Sequence, residues 1–269
     1  MRVEGWVTRR AVKQGLAPLG WFRSARGCTI LTYHRIGGGT PDERDVSLSD
    51  FERQVEILRS VPVLSLDDAL DRLASGDTRP SVVLTFDDGF ADVYERAWPL
   101  LRANQLPFTV YVSTAYVGDE LRWEGSTAKV PGGRALSWGQ LAELARSGLC
   151  TIGNHTHGHV RPEGLTKGQV EACDRAVLEH LGIAPRHFAY PWGIRVPTFE
   201  PELRRRYRSA VTGLVGRNGP TSDFMRLRRL AVRRTDPPAF FGRKVRGGLV
   251  PERAYQGLVT AAKRVGVRG

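Results

Sequence analysis

Two hydropathy patterns alternate along the chain: short apolar runs, and longer segments with an apolar residue every three or four positions. An apolar run of about four to eight residues that is rich in β-branched and aromatic side chains is typical of a buried strand. Runs of this kind predict seven strands, at residues 28–34, 81–86, 108–113, 150–153, 187–190, 208–212 and 227–232.

The segments between these runs have the period of an amphipathic helix. Ser49 is a typical residue to precede a helix, and Gly182 is a typical residue to end one. The pattern predicts helices at residues 49–60, 67–74, 91–104, 137–147, 166–181, 199–206 and 252–265.

Strands that alternate with helices in this way run parallel and are joined by right-handed crossovers. About seven strands without a reversal predict an α/β fold, a distorted (β/α)7-type barrel with parallel strands and a site at the C-terminal strand ends. We predict a basic N-terminal arm at residues 1–27, a barrel domain at 28–249, and a C-terminal helix at 250–269 that packs on the barrel.

The net charge of +12 is spread unevenly. Residues 1–27 carry 6 basic and 1 acidic side chains, residues 28–194 carry 16 and 22, and residues 195–269 carry 18 and 5. The two basic ends suit an anionic membrane surface, an anionic substrate or a solvated arginine-rich surface. No RNP, helix-turn-helix or zinc-finger pattern accompanies them, so we expect no nucleic-acid partner.

The three cysteines form no CxxC pair and lie in apolar or helical segments, which predicts buried free thiols and a reducing compartment. No stretch approaches the roughly 20 apolar residues that span a bilayer. We therefore expect a cytoplasmic protein, with peripheral contact to a membrane through the basic ends as an open alternative. Residues 6–22 mix tryptophan and aliphatic side chains with basic ones, which suits either membrane docking or packing across the barrel.

Candidate chemistry follows the predicted strands. His155 and His159 lie four positions apart after one strand, so both imidazoles can reach one ion. Asp88 follows another strand and completes a set of two histidines and one carboxylate, which holds a divalent metal and leaves a coordination position open. Its neighbour Asp87 then lies close to the metal, where a base can take a proton from water.

Three segments of the chain carry a resemblance to a known family. They read TFDDG at residues 85–89, HTHGH at 155–159 and FAYPWG at 188–193. These resemble the signature motifs of the polysaccharide deacetylases, the NodB-homology group of carbohydrate esterase family 4. The resemblance implies that Asp87 is the general base, that Asp88, His155 and His159 are metal ligands, and that the backbone N–H of Trp192 stabilises the oxyanion, with Tyr190 and Pro191 beside it.

The chain departs from the family pattern in two places. Ala189 stands where the third motif usually has an arginine, which leaves open what orients Asp87. The chain also has no histidine after His187 to supply a late general acid. The motif order is similar to that of the poly-N-acetylglucosamine deacetylase branch, which implies that His34, in the segment LTYHRI, is the general acid. The same resemblance makes Arg229 a candidate for bracing the site.

The resemblance implies a metal-dependent hydrolase that removes the N-acetyl group from an amino sugar in a glycan or glycoconjugate. Zinc suits the ligands best, and cobalt, nickel and iron suit them as well. The sugar donor is left open between a polymer, a lipid-linked sugar, a nucleotide-linked sugar and a small N-acyl metabolite. Two other functions remain open. The protein could be a glycan-binding module of the same fold or, judged by the ligand set alone, a non-haem iron oxygenase.

Overall fold

The computed structural model describes residues 2–19, 26–123 and 133–264. Its main sheet has seven strands, and every hydrogen-bonded neighbour pair in it is parallel. Two further strands, β2 (Arg35–Ile36) and β3 (Asp45–Val46), form a small separate sheet. The strands of the main sheet are β1 (Cys28–Tyr33), β4 (Ser81–Phe86), β5 (Phe108–Val112), β6 (Cys150–Asn154), β7 (His187–Ala189), β8 (Ser209–Val211) and β9 (Arg229–Ala231).

The sheet curves into a nearly closed barrel. Its strand order is β8-β7-β6-β5-β4-β1-β9, so β8 and β9 are its two edges. These edges meet where Leu227, just before β9, pairs with Val211 in the parallel sense. The backbone N–H of Thr212 donates to the carbonyl oxygen of Leu227 at 2.9 Å. The predicted parallel barrel of seven strands is therefore confirmed.

Helices cover the outside of the barrel, and most of them coincide with the predicted ones. The helix predicted at 91–104 is a π-helical turn, Val93–Ala97, followed by an α-helix. The helices are α1 (Arg2–Leu16), α2 (Leu48–Leu58), α3 (Leu66–Ala74), α4 (Trp98–Ala103), α5 (Trp138–Arg146), α6 (Lys167–Leu181), α7 (Glu200–Arg206), α8 (Pro238–Val245) and α9 (Val250–Arg264).

Capping residues set several helix ends. The prediction that Ser49 precedes the helix at residues 49–60 is wrong. The cap of α2 is Ser47, whose Oγ accepts the hydrogen bond from the backbone N–H of Asp50. Gly182 ends α6 with a φ of 70°, a conformation that glycine adopts without steric cost. The central strands β1 and β4 are buried along their whole length, as expected for strands covered on both faces.

Two helices, α1 and α8, have no counterpart among the predicted elements. Both contact each other and α9, so the described parts of the two chain ends lie together on one side of the barrel. Lys13 of α1 is buried, and its Nζ lies 2.6 Å from Oδ1 of Asp236. Residues 20–25, which include part of the apolar and basic segment at 6–22, lie outside the described residues. Among the described residues, no helix is long and apolar enough to cross a bilayer.

Candidate active site

Two strand ends bring a carboxylate and two imidazoles together. Asp88 follows β4 and His155 follows β6, while His159 comes from the turn after His155. Oδ1 of Asp88 lies 3.3 Å from Nε2 of His155 and 3.3 Å from Nε2 of His159. Asp88, His159 and Thr156 all have positive φ values, of 74°, 48° and 66°. Non-glycine residues adopt this conformation at a cost, and such positions cluster at functional sites.

A hydrogen bond orients His155 and ring stacking orients His159, and Nε2 of each faces Asp88. Nδ1 of His155 lies 2.9 Å from the carbonyl oxygen of Ala189, so we assign the proton to Nδ1 and the lone pair to Nε2. The ring of His159 stacks on Trp123, with ring centroids 4.1 Å apart. His157 points elsewhere, because its Nδ1 lies 2.9 Å from Oγ1 of Thr114.

These three side chains fit a divalent metal. Each offers one ligand atom, and the three atoms lie within 4.8 Å of one another. Burial alone raises the pKa of Asp88, but the bonds to His155 and His159 bring it well below its usual range, so the carboxylate is ionised, as a ligand must be. Two imidazoles and one carboxylate with an open position form a donor set that suits zinc and its neighbours.

Arg229 orients Asp87. Its Nη1 and Nη2 donate to Oδ1 and Oδ2 of Asp87, both at 2.7 Å, and its Nε donates to the carbonyl oxygen of Thr212 at 2.9 Å. Burial alone raises the pKa of Asp87, but the charges of Arg229 and His155 lower it below the usual value. The missing arginine at Ala189 is thus replaced by one from another strand, and the Ala189 carbonyl orients His155 instead.

His34 lies on the wall of the same cavity, directly after β1. Its Nδ1 is buried without a hydrogen-bond partner among the described residues. Burial lowers the pKa of His34 to about 4, although Asp88 and Asp87 oppose the shift. The free protein therefore holds a neutral His34 at pH 7, so a role as general acid requires that His34 first gains a proton.

The third motif lies in a tight turn after β7. Trp192 has a φ of 62°, and the following Gly193 has a φ of 68°. Pro191 is buried at the start of this turn, and it is absent from the cavity wall. Tyr190, which the resemblance places beside the oxyanion site, is fully buried and is absent from the cavity wall; its ring packs edge-on against Phe188, 5.3 Å away. The proline and tyrosine shape the turn that presents Trp192.

One cavity of about 270 Å³ is lined by the Asp88-His155-His159 trio and by Asp87, His34, Trp192 and Arg229. Tyr190 and Pro191 do not line it. Part of the wall carries no signal in the sequence, because α9 and the loops after β2, β8 and β9 supply side chains that belong to no motif. The lining residues are Thr32, His34, Arg44, Asp87, Asp88, His155, His159, Trp192, Gly193, Gly213, Val215, Arg229, Ala231, Arg233, Glu252 and Gln256.

The parallel barrel has two histidines and one carboxylate at its C-terminal strand ends, with a second aspartate held by an arginine beside them. This arrangement is typical of α/β barrels whose sites suit metal-assisted chemistry. Comparison with known proteins narrows the class. Residues 74–206 match the family model described as polysaccharide deacetylase. This match covers just under half of the chain and, together with the relatives that follow, supports a NodB-type polysaccharide deacetylase.

Individual relatives agree with this assignment. A poly-β-1,6-N-acetyl-D-glucosamine N-deacetylase of Staphylococcus aureus is 26% identical over 164 residues, which cover 55% of this chain and 54% of that protein. The chain thus spans about half the length of the curated relatives it matches. The structure of IcaB from Ammonifex degensii is 29% identical, with a TM-score of 0.69 over 81% of this chain and 98% of that one. The Streptococcus pyogenes deacetylase PplD, in complex with acetate, shares the fold with a TM-score of 0.69 at 21% identity over 83% of this chain and 99% of that one.

Proposed function

We propose that this protein is a zinc-dependent carbohydrate N-deacetylase that releases acetate from N-acetylglucosamine units of a glycan. One observation carries the proposal: the Asp88-His155-His159 trio and the arginine-held Asp87 open into the same cavity. The relatives named for poly-β-1,6-N-acetylglucosamine make β-1,6-linked oligomers the first substrate to test.

In this proposal the residues divide the hydrolysis between them. Asp88, His155 and His159 would hold a divalent metal, which would supply Lewis-acid polarisation of the acetamide carbonyl and activation of water. Asp87 takes the proton from the attacking water, and Arg229 keeps both carboxylate oxygens in place for that transfer. The backbone N–H of Trp192 donates to the oxyanion that develops on the carbonyl oxygen. The C–N bond then breaks, and acetate and the free amino sugar leave.

The leaving nitrogen needs a proton, and His34 is placed to deliver it. Because His34 is neutral in the free protein at pH 7, it must take up a proton from the solvent during the reaction before it can give one to the leaving nitrogen. Negative charge that develops on the substrate in this buried cavity raises the pKa of a nearby imidazole. His34→Gln should therefore lower kcat by about 10²-fold or more. Full activity of this variant would remove His34 from the role.

Acetate release by zinc-reconstituted protein tests the proposal. The substrates are β-1,6-linked N-acetylglucosamine oligomers, UDP-N-acetylglucosamine and a lipid-linked N-acetylglucosamine, so that the result also selects the sugar donor. We expect zinc-dependent release from the oligomer, abolished in Asp88→Asn and Asp87→Asn. Zinc binding without acetate release from any of the three substrates would overturn the proposal.

A further inference from the structure

Helix α9 supplies part of the cavity wall from outside the matched family segment. Glu252 and Gln256 lie four positions apart on this helix and therefore share a face, and both line the cavity that holds the Asp88 trio. We propose that these two side chains bind hydroxyl groups of the sugar and thereby select a saccharide over a simple acyl compound. The inference rests on the proposed function, whose site it extends.

The burial of Glu252 is the first reason. This residue is 2% exposed, yet its Oε2 has no hydrogen-bond partner among the described residues. Its charged neighbour is Lys244, whose Nζ lies 3.0 Å from Oε2 of Glu252 in an ion pair without hydrogen-bond geometry. A buried carboxylate oxygen without a hydrogen-bond donor is costly, and a ligand in the cavity can bring donors to this carboxylate.

The second reason is that Lys244 also forms hydrogen bonds with two other groups. The Nζ of Lys244 donates to Oδ2 of Asp236 at 2.7 Å and to the carbonyl oxygen of Ala231 at 2.5 Å. An ammonium group has three donors, so one remains for Glu252, whereas a carboxylate can accept about four hydrogen bonds. Glu252 keeps lone pairs free for a ligand while its charge stays balanced.

A buried network holds α9 in position. Asp236 accepts from Lys13 of α1 at 2.6 Å as well as from Lys244 of α8. The Nζ of Lys13 also lies 4.5 Å from the ring centroid of Tyr255, on the same helix as Glu252. Three helices are thus tied to the loop after β9, so Glu252 and Gln256 face the cavity from a rigid support, as substrate recognition requires.

The chemistry of the pair suits a sugar. Hydroxyl groups both donate and accept hydrogen bonds; a carboxylate accepts them and a side-chain amide does both. Bonds to a charged acceptor are about twice as strong as neutral ones, so Glu252 should contribute more than Gln256. Neither side chain belongs to the metal trio or touches Asp87 through a hydrogen bond, so they act on the sugar and not on the acyl group.

The test compares a saccharide with a substrate that has no sugar. Acetate release from the N-acetylglucosamine oligomer and hydrolysis of p-nitrophenyl acetate are measured for wild type, Glu252→Gln and Gln256→Ala, all loaded with zinc. We expect KM for the oligomer to rise about tenfold in Glu252→Gln and several-fold in Gln256→Ala, with a much smaller change for the aryl ester. Glu56→Gln, an exposed glutamate on α2, is the matched control and should behave as wild type.

Equal losses on both substrates, or no change on either, would overturn the inference. Gln256 is outside the ion-pair network, so Gln256→Ala keeps the test decisive if Glu252→Gln fails to fold. Failure of the proposed function has a different signature, since the wild type would then release no acetate from the oligomer. In that case the sugar contact is tested by calorimetry, which measures the binding of the oligomer to zinc-loaded Asp87→Asn protein. Weaker binding with Glu252→Gln added supports the sugar contact, and unchanged or absent binding refutes it.

Discussion

Arg229 holds Asp87 through two parallel hydrogen bonds of 2.7 Å, although 142 positions separate the two residues in the chain. The barrel makes this contact possible, because β1 lies between β9, which carries Arg229, and β4, which precedes Asp87. A planar guanidinium matches both oxygens of a carboxylate, which fixes the direction of the lone pairs as well as the charge.

Arg229→Lys should damage catalysis more than metal binding. Lysine keeps the positive charge but cannot make the bidentate contact, so Asp87 loses its fixed orientation. We expect kcat to fall by about 10²-fold while zinc content stays at one ion per chain. The neighbouring exposed Arg228, changed to lysine, is the control. A loss of zinc in Arg229→Lys equal to its loss of activity would contradict an orienting role.

Zinc should stabilise the protein only when the trio is complete. A ligand at 100 times its Kd stabilises the native state by about 2.7 kcal/mol, which raises Tm by a few degrees. His159→Gln removes one ligand and should abolish this rise, whereas His157→Gln should preserve it because His157 contacts Thr114 instead. Thermal unfolding with zinc and with a chelator measures the difference. An equal effect of the two substitutions would argue against the trio.

The pH dependence of stability should contain a contribution from Asp236. Burial raises the pKa of Asp236, but the charges of Lys244 and Lys13 bring it below its usual value. The folded state therefore binds the proton more weakly than the unfolded state, so this stabilisation is complete above about pH 4 and is lost as the pH falls further.

Asp236→Asn tests this contribution. At pH 7 the variant leaves two buried ammonium groups without their shared carboxylate, and we expect it to lose about 3–5 kcal/mol of unfolding free energy. Denaturant unfolding from pH 7 down to pH 3 should show a smaller gap between variant and wild type at the acid end. A gap that stays constant with pH would mean that Asp236 does not titrate below its usual value in the folded protein.

Gly193 should tolerate no side chain. Its φ is 68°, and a Cβ there would lie 2.7 Å from Cα of Gly213. Gly193→Ala should therefore lower the unfolding free energy by about 3 kcal/mol and displace the neighbouring Trp192. Gly182 has a similar φ of 70° with no atom near the same position, so Gly182→Ala should cost only about 1 kcal/mol. Similar Tm values for the two variants would refute a backbone clash at Gly193.

The residues that local patterns identify are those next to strand ends. Asp87, Asp88 and His155 each follow an apolar run directly, and parallel strands bring such positions to one edge, so the metal trio follows from the sequence. The position of Arg229 in the last strand makes it a candidate for bracing the site. Its pairing with Asp87, however, depends on how the barrel closes.

Other parts of the site leave no local signal. Lys13 looks like a solvated charge on a weakly amphipathic segment, yet burial against Asp236 makes α1 a part of the fold. Glu252 faces the cavity only because this same network positions α9, and no motif spacing encodes such an arrangement. Tyr190 belongs to the same motif as Trp192, yet only Trp192 lines the cavity, while the tyrosine is fully buried.

The left-handed backbone at Asp88, Thr156, His159 and Trp192 has a cost of about 1 kcal/mol or more at each position. A random search for thermostable variants would therefore be drawn to these positions, where glycine or asparagine relaxes the main chain. At Asp88 and His159 such a gain would remove a proposed metal ligand, and at Trp192 it would remove a side chain that lines the cavity. At these few positions a substitution that raises thermal stability should lower turnover. Substitutions that stabilise the barrel without loss of activity should therefore be sought elsewhere in the chain.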